Sequence, residues 1–484
     1  MLASPQVKRL MKKNSLRVLT IPILGVGFML SEQQAHADNS LGQRDNLDAN
    51  ITARQKAEVS IPSGFIEGST MKGILRNSFF ERDNHHTPDG RDQREWVQGG
   101  WLSFRSGYTD TPVGFGFDVH SFYALKLDGG GGHGGAGLMP LDSTGKPESN
   151  YSTIGGALKM RGFDSLVQAG DQLLENPVIA SGVSRMFPQT YRGVSIKNYS
   201  VDDLTLDAGW IDSTRLRNQS GQSHLKTSYG SRNKAGVVAD RNSSHMNWVG
   251  GSYSIPKSAT VTAYAGNLSD IWNQYYLAGS YPFPLSEDFT LTPYLHFYDT
   301  RDQGSSKLGR IDNQTYSSGL TLAGKGQSLS LGFQKVDGNT PFDYVIQDDG
   351  TYLYLSNSQQ YADFNGPGEQ SWKVQYLTSL AFINAPDFKL STSYTRGKAD
   401  LTRVNPNSKG YGYIYNPDGK HARHWERDIS LRYEVPDGQA KGTSVTLRWA
   451  MHRSGKGYTA PGNTRGNADA DEYRIIVDYP FTIF

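Results

Sequence analysis

The sequence predicts an all-β protein, a transmembrane antiparallel β-barrel, on three observations: short alternating runs along nearly all of the chain, connections of two kinds between them, and an export segment ahead of them. Strict alternation of apolar and polar residues is the pattern of a half-buried strand. In FTLTPYLHFY, Phe289, Leu291, Pro293, Leu295 and Phe297 oppose Thr290, Thr292, Tyr294, His296 and Tyr298. SLSLGFQ (328–334) and LTLDAGW (204–210) repeat it, each with a polar opposing face.

The connections differ in length. IPKSAT (255–260), PLSEDF (284–289) and VPDGQAKG (435–442) read as tight turns, whereas 215–244, 338–369 and 397–425 read as long Gly/Asn/Asp-rich loops. A membrane barrel has short turns at one end and long loops at the other. No long amphipathic helix interrupts the pattern, and no shift of composition marks a second domain.

The export segment is residues 1–37. Lys8, Arg9, Lys12, Lys13 and Arg17 precede the apolar run 18–30, and Ala35-His36-Ala37 supplies a small-x-small cleavage site. That run is shorter than the roughly 20 apolar residues of a membrane helix and contains Pro22. The segment carries a net charge of +4, so the formal +2 of the whole chain becomes −2 from Asp38 onward. The basicity belongs to the signal, which argues against a nucleic-acid partner. Residues 38–61 form a polar extension, and 62–484 form the barrel domain.

With no cysteine in the chain, disulfides and thiolate metal sites are excluded. The negative mean hydropathy resembles that of a soluble protein, but only alternate residues of a barrel strand face lipid. The 27 tyrosines, 8 tryptophans and 54 glycines suit aromatic girdles and bends. The final run YRIIVDYPFTIF reads as a closing strand, with Pro480 at a bulge or strand end.

Three late strands each carry an arginine opposite an apolar row: Arg432 in ISLRYEV, Arg448 in VTLRWAM and Arg474 in EYRIIV. In a soluble sandwich these would be a solvated outer face. In a barrel they point into the lumen, because an arginine on the lipid face near the midplane costs about 2 to 4 kcal/mol. A lumenal guanidinium offers a carboxylate a planar fork of donors. Pairing with a lumenal carboxylate such as Glu434, bracing the wall, is the structural alternative.

Several stretches resemble the outer-membrane carboxylate channels of Gram-negative bacteria, and within them the porin D (OprD-type) branch. These are FIEGSTMKGILRNSFFERD (65–83), GYTDTPVGFGFDVHSFYALKLDGGGG (107–132), SRMFPQTYRGVSI (184–196), GFQKVDGNTPFDY (332–344), YADFNGPGEQSWK (361–373) and DEYRIIVDYP (471–480). The resemblance implies a monomeric barrel of 18 strands, narrowed by an inward-folded third loop with help from the seventh. Packing of monomers as trimers stays open. It implies passive diffusion of small carboxylate-bearing solutes past a ladder of basic residues: basic amino acids, short peptides containing them, or carbapenem antibiotics. Its setting would be outer-membrane lipid and lipopolysaccharide.

Residue by residue, Arg432, Arg448 and Arg474 fall on ladder positions, Arg76 on the first-strand arginine, and Arg185 on that of the constriction loop. Lys159 and Arg161 match the basic pair before that loop, and Asp343 and Tyr344 match the FDY of the seventh. Thr446, Gln375 and Ser393 stand where the branch has further arginines, so an aromatic-carboxylate channel of the same family is the alternative.

Other constellations carry less. GGGGHGGAG (129–137) satisfies GxGxxG trivially, with no helix to follow and Pro140 close by, and reads as a surface loop. His85-His86 reads as a solvated loop pair, and the histidines, His120, His133, His245 and His296 among them, form no metal motif. No GxSxG elbow occurs, so a barrel hydrolase is the weaker alternative, beside a purely structural or adhesive barrel. No cofactor is expected.

Overall fold

The computed structural model describes residues 55, 56, 59, 64–85, 92–233, 236–255, 258–345, 354–458 and 469–484. The expected signal segment, most of the 38–61 extension and His86 lie outside these residues. The rest of the barrel domain forms eighteen antiparallel strands closed on themselves. They are β1 (Thr70–His85), β2 (Gln93–Arg105), β3 (Gly114–Asp128), β4 (Asn150–Gly162), β5 (Ser165–Gln172), β6 (Thr190–Asn198), β7 (Leu204–Arg215), β8 (Met246–Ser254) and β9 (Thr260–Leu268). The second half runs through β10 (Trp272–Ser280), β11 (Phe289–Asp302), β12 (Asp312–Gly324), β13 (Gln327–Gly338), β14 (Gln370–Leu380), β15 (Ala385–Ala399), β16 (Ala422–Glu434), β17 (Ser444–Ser454) and β18 (Asp469–Thr482).

Closure is made by β1 pairing with β18 from Lys72↔Thr482 to His85↔Asp469, and it removes the exposed sheet edge. The terminal Phe484 carbonyl accepts from Met71 N–H at 2.9 Å, so the chain end is part of the seam. Pro480 sits beyond the last β17–β18 pair, Ser444↔Asp478, and pairs only with Ile74. Its missing donor therefore breaks no ladder on the β17 side; the strand continues to Thr482 against β1 alone, so the expected bulge or strand end is instead a one-sided stretch of β18.

The alternation read from sequence is the inside-out alternation of a barrel. On β11 His296, Tyr298 and Thr300 are buried inside while Leu295 is exposed outside. On β17 and β18, Leu447, Tyr473 and Ile475 are exposed and Arg448 and Arg474 are buried. The three predicted turns fall at one end, together with the tight connections 163–164 and 325–326. The loops 129–149, 173–189, 216–245, 339–369 and 400–421 gather at the other.

Two of these loops fold into the barrel. Loop 173–189 leaves the wall where Gly170 holds φ +132°, with Gly156 O only 2.4 Å from where a Cβ would stand. That combination admits only glycine. The loop crosses the lumen: Arg76 Nη1 on β1 donates to Arg185 O at 2.7 Å, and the Tyr298 hydroxyl on β11 donates to Pro177 O at 2.9 Å. Val178 and Ile179 pack among inward-facing Trp248, Tyr264 and Tyr298, while Met186 and Phe187 pack with Phe80, Trp101 and Phe122. Burial of these side chains on both sides of the lumen keeps the loop inside.

Loop 339–369 is held by wall carboxylates and amides. Glu426 on β16 accepts from Tyr361 N–H (2.7 Å) and Ala362 N–H (2.8 Å), and Gln334 on β13 donates to Phe364 O at 2.7 Å. The expected third loop and the described residues of the seventh are therefore inward-folded.

Candidate functional site

Because side chains alternate, residues paired across neighbouring strands share a face, and the register gives the lumenal wall of β16–β18 and β1 row by row. The middle row reads Ser430, Arg448, Arg474 and Phe80. One row toward the loop end stand Asp428, Ala450, Glu472 and Arg82, and one row toward the turn end Arg432, Thr446, Ile476 and Ser78. Carboxylates therefore lie on both sides of the Arg448–Arg474 row, Asp428 and Glu472 one row toward the loops, with Arg82 beside Glu472, and Glu434 and Asp478 two rows toward the turns. Arg432, Arg448, Arg474 and Glu472 are buried, and Asp428 and Arg82 are partly so.

The arginines are positioned by carboxylates on the same faces. Arg432 Nη2 lies 3.0 Å from Glu434, the pairing that the sequence offers as the bracing alternative. Arg474 Nε donates to Glu472 at 2.6 Å, and Glu472 also receives Arg82 at 2.8 Å and the Gln360 amide of the inner loop at 3.0 Å. Glu472 thereby joins the arginine wall to loop 339–369. Arg76 makes a fork to Asp478, at 2.6 and 2.8 Å, with its guanidinium 5.0 Å from the Trp101 ring centre. Such bidentate charge-assisted pairs are short, directional and geometrically specific.

Arg448 faces Arg474 directly across the β17–β18 ladder. Like charges at such positions destabilise a sheet, and this juxtaposition raises the local attraction for an anion. Arg185 joins the same region from loop 173–189: its guanidinium lies 4.6 Å from the Phe80 ring centre, and that of Arg474 lies 5.3 Å from the same ring. Its Nε is committed to Ala136 O at 2.9 Å. Arg76, Arg185, Arg448 and Arg474 therefore belong to one neighbourhood.

The remaining sequence candidates lie apart. Lys159 and Arg161 sit near the turn end of β4, over the Tyr108 ring at 4.8 and 4.3 Å, with Lys159 paired to Asp118 at 2.8 Å. Asp343 is buried among the loops, accepting from the N–H groups of Tyr229 (3.0 Å), Gly230 (2.8 Å) and Tyr344 (2.9 Å) and from the Tyr411 hydroxyl (3.0 Å). Tyr344 donates to Asp363 at 2.6 Å. This placement makes the pair a clasp between three loops. Burial pushes the Asp343 carboxyl above its usual range, against the lowering effect of its hydrogen bonds.

The sequence reading named Glu434 but missed Glu472 and Asp478. Glu472 lies two residues before Arg474 and Asp478 four after it, so both share its face, and strand parity alone could have found them. Thr446, Gln375 and Ser393, the departures from the branch, are lumenal and buried, which leaves the wall of β14 and β15 without a guanidinium at those positions. The glycine-rich loop shows no phosphate cradle. Its Gly135, Ala136, Leu138 and Met139 N–H groups point at the Glu95 carboxylate, at 2.7 to 3.2 Å. His85, expected in solvent, ends β1 with Nε2 2.8 Å from Asp471. Among the described residues no group of histidines and carboxylates is arranged for a metal.

Comparison with known proteins agrees with this architecture. A family model described as an outer-membrane porin of the OprD family matches residues 63–483. Porin D of Pseudomonas aeruginosa is 35% identical over 429 residues, covering 87% of this chain and 92% of its own. The crystal structure of P. aeruginosa OprD superposes with a TM-score of 0.74 at 32% identity, over 88% of this chain and 98% of the other. P. aeruginosa OpdK, solved with vanillate, gives a TM-score of 0.74 at 27% identity, over 87% and 100%. The protein is a passive channel of the outer membrane with no enzymatic role, and the chain belongs to the OprD family of outer-membrane porins.

Proposed function

We propose that the channel selects small carboxylate-bearing solutes, using Arg448 and Arg474 as the central contacts of a lumenal arginine row. The observation that carries this reading is their direct opposition across β17–β18 beside the inner loops. Two guanidiniums facing one lumen give a carboxylate a site that is favourable, and the water around it keeps release fast enough for conduction. Arg432 follows toward the turn end and Arg76 one strand along, while Arg185 overlooks the row from the loop. Lys159 and Arg161 would attract the carboxylate nearer the turn end, and Asp343 with Tyr344 would act by holding the loops.

The step from the Asp428 and Glu472 carboxylates to Arg448 and Arg474 in the next row favours a zwitterion. With Asp428 and Glu472 one row above the arginines, an α-amino acid or short peptide can place its ammonium upward and its carboxylate downward. Basic amino acids, peptides containing them and carbapenems fit this order. The thinner row at Thr446, Gln375 and Ser393 favours the second reading, an aromatic carboxylate, for which OpdK with vanillate is the precedent.

Liposome uptake through the purified mature protein tests both. Arginine or benzoate entering well ahead of a neutral sugar of similar size, with the lead lost in Arg448→Ala, supports the arginine row and identifies the solute class. Equal entry of all three, unchanged by the substitution, would sink it and leave the arginines as braces.

A further inference from the structure

Near the loop end, cations on the outward face come with a carboxylate nearly everywhere around the barrel. Arg94 lies 3.4 Å from Asp128, Lys335 3.6 Å from Asp337, and Arg453 2.8 Å from Asp471, while Arg301 pairs with Asp312. On β15 and β16 the pattern breaks. Arg396, Lys398, Arg423 and Arg427 are all exposed on the outward face, and none of them joins an ion pair among the described residues.

Their register places them together. Lys398 stands directly opposite Arg423, Arg396 opposite Trp425, and Tyr394 opposite Arg427. Directly opposed like charges destabilise a sheet unless an anion bridges them. Aromatic rings interleave with the cations: Tyr394 and Trp425 lie 5.8 Å apart, and Trp372, opposite Arg396 on the β14 side, is 67% exposed. Tryptophan and tyrosine mark the level of the lipid headgroups. Four cations at that level escape the cost of about 2 to 4 kcal/mol each that they would bear at the midplane.

Long loops mark the outward end of such barrels, where the leaflet is built of a phosphorylated glycolipid. We propose that Arg396, Lys398, Arg423 and Arg427 form a binding patch for the phosphates of one lipopolysaccharide molecule, with the Trp372, Tyr394 and Trp425 rings against its sugar and acyl boundary. Arginine forks match phosphate oxygens bidentately, and lysine supplies a point charge. The proposal rests on the outer-membrane placement of the barrel and not on the solute that it conducts.

The test is lipopolysaccharide binding to the purified protein in detergent, read by native mass spectrometry. The probes are intact lipopolysaccharide, the same glycolipid stripped of phosphate, phosphatidylglycerol and inorganic phosphate. The expected result is tight binding of the intact glycolipid alone, weakened about tenfold or more when all four cations become glutamine. Heat-modifiable gel mobility and unchanged pore conductance establish that this variant is folded, since none of the four lines the lumen. Should it fail to fold, Arg423→Gln alone is expected to weaken binding about two- to fivefold in the same assay. Unchanged affinity in the variants, equal binding of the phosphate-free glycolipid, or equal competition by phosphatidylglycerol or inorganic phosphate would each overturn the proposal.

Discussion

Arg448 and Arg474 occupy directly opposed positions on neighbouring strands, both turned into the lumen, and only Arg474 has its Nε held by a carboxylate one row above. Glu472 holds Arg474 at its Nε, and the two guanidiniums together make cationic a row whose β16 member is Ser430.

From this juxtaposition, Arg448→Ala is expected to reduce carboxylate uptake more than it reduces stability. A guanidinium–carboxylate contact in water is worth about 0.2 to 1 kcal/mol, so uptake should fall about 1.4- to fivefold while neutral-sugar entry stays level. Raising salt from 0.1 to 1 M shortens the screening length from about 10 to 3 Å and should erode the wild-type preference in the same direction. Liposome flux at the two salt concentrations checks both. A preference insensitive to salt would contradict the electrostatic origin.

Arg76 and Asp478 behave differently, because both are almost fully buried and the pair also anchors loop 173–189. Removing one partner of a buried pair leaves an uncompensated charge and costs about 3 to 5 kcal/mol. Arg76→Ala should therefore lower the denaturant midpoint of unfolding and release the loop, raising single-channel conductance. Replacing both residues by apolar ones of similar volume should restore much of the stability without restoring the loop anchor. Equal conductance in all three proteins would show that the loop is held by its apolar contacts alone.

How far the sequence foretold this site follows from the range of each interaction. The lumenal direction of Arg432, Arg448 and Arg474 was legible because strand parity is local. The same parity places Glu472 and Asp478 inside, although neither was singled out. The Arg76–Asp478 fork joins residues 402 positions apart and exists only because β1 closes on β18, a register that no local pattern specifies. Loop behaviour was legible only through family resemblance, since the inward course of 173–189 depends on Val178, Ile179, Met186 and Phe187 finding apolar walls on two sides. Asp343 shows the limit: its surroundings come from Tyr229, Tyr344 and Tyr411, on three loops that meet only in the closed barrel.

Glu426 is the main wall anchor of the seventh loop, with one oxygen for Tyr361 N–H and the other for Ala362 N–H. A hydrogen bond is worth about 0.5 to 1.5 kcal/mol net, so Glu426→Ala, which removes two, should weaken the loop's hold on the wall by about 1 to 3 kcal/mol. The expected signature is larger and noisier single-channel conductance, together with faster protease nicking near residues 354–369. Glu426→Gln keeps one acceptor and should fall between the two. An unchanged conductance trace in the alanine variant would assign the constriction to loop 173–189 alone.

The loop clasp should respond to pH through Asp343. Burial raises its carboxyl in the folded protein above the value of about 3.9 expected in an unfolded chain. For a raised carboxyl the folded state binds the proton more tightly, so the contribution to stability is complete below the unfolded value and is lost as pH climbs through the folded one. Loops 216–245, 339–369 and 400–421 should therefore be most tightly held in mild acid and loosen toward neutrality. Hydrogen-exchange protection of the Tyr229 and Gly230 amides, corrected for intrinsic exchange and followed from acid to neutral pH, measures this. Asp343→Asn removes the titration and should flatten the profile, while losing about 1 to 3 kcal/mol of the clasp because its amide cannot accept on both sides. A profile with the same slope in the asparagine variant would place the pH response on another group of the loop cluster.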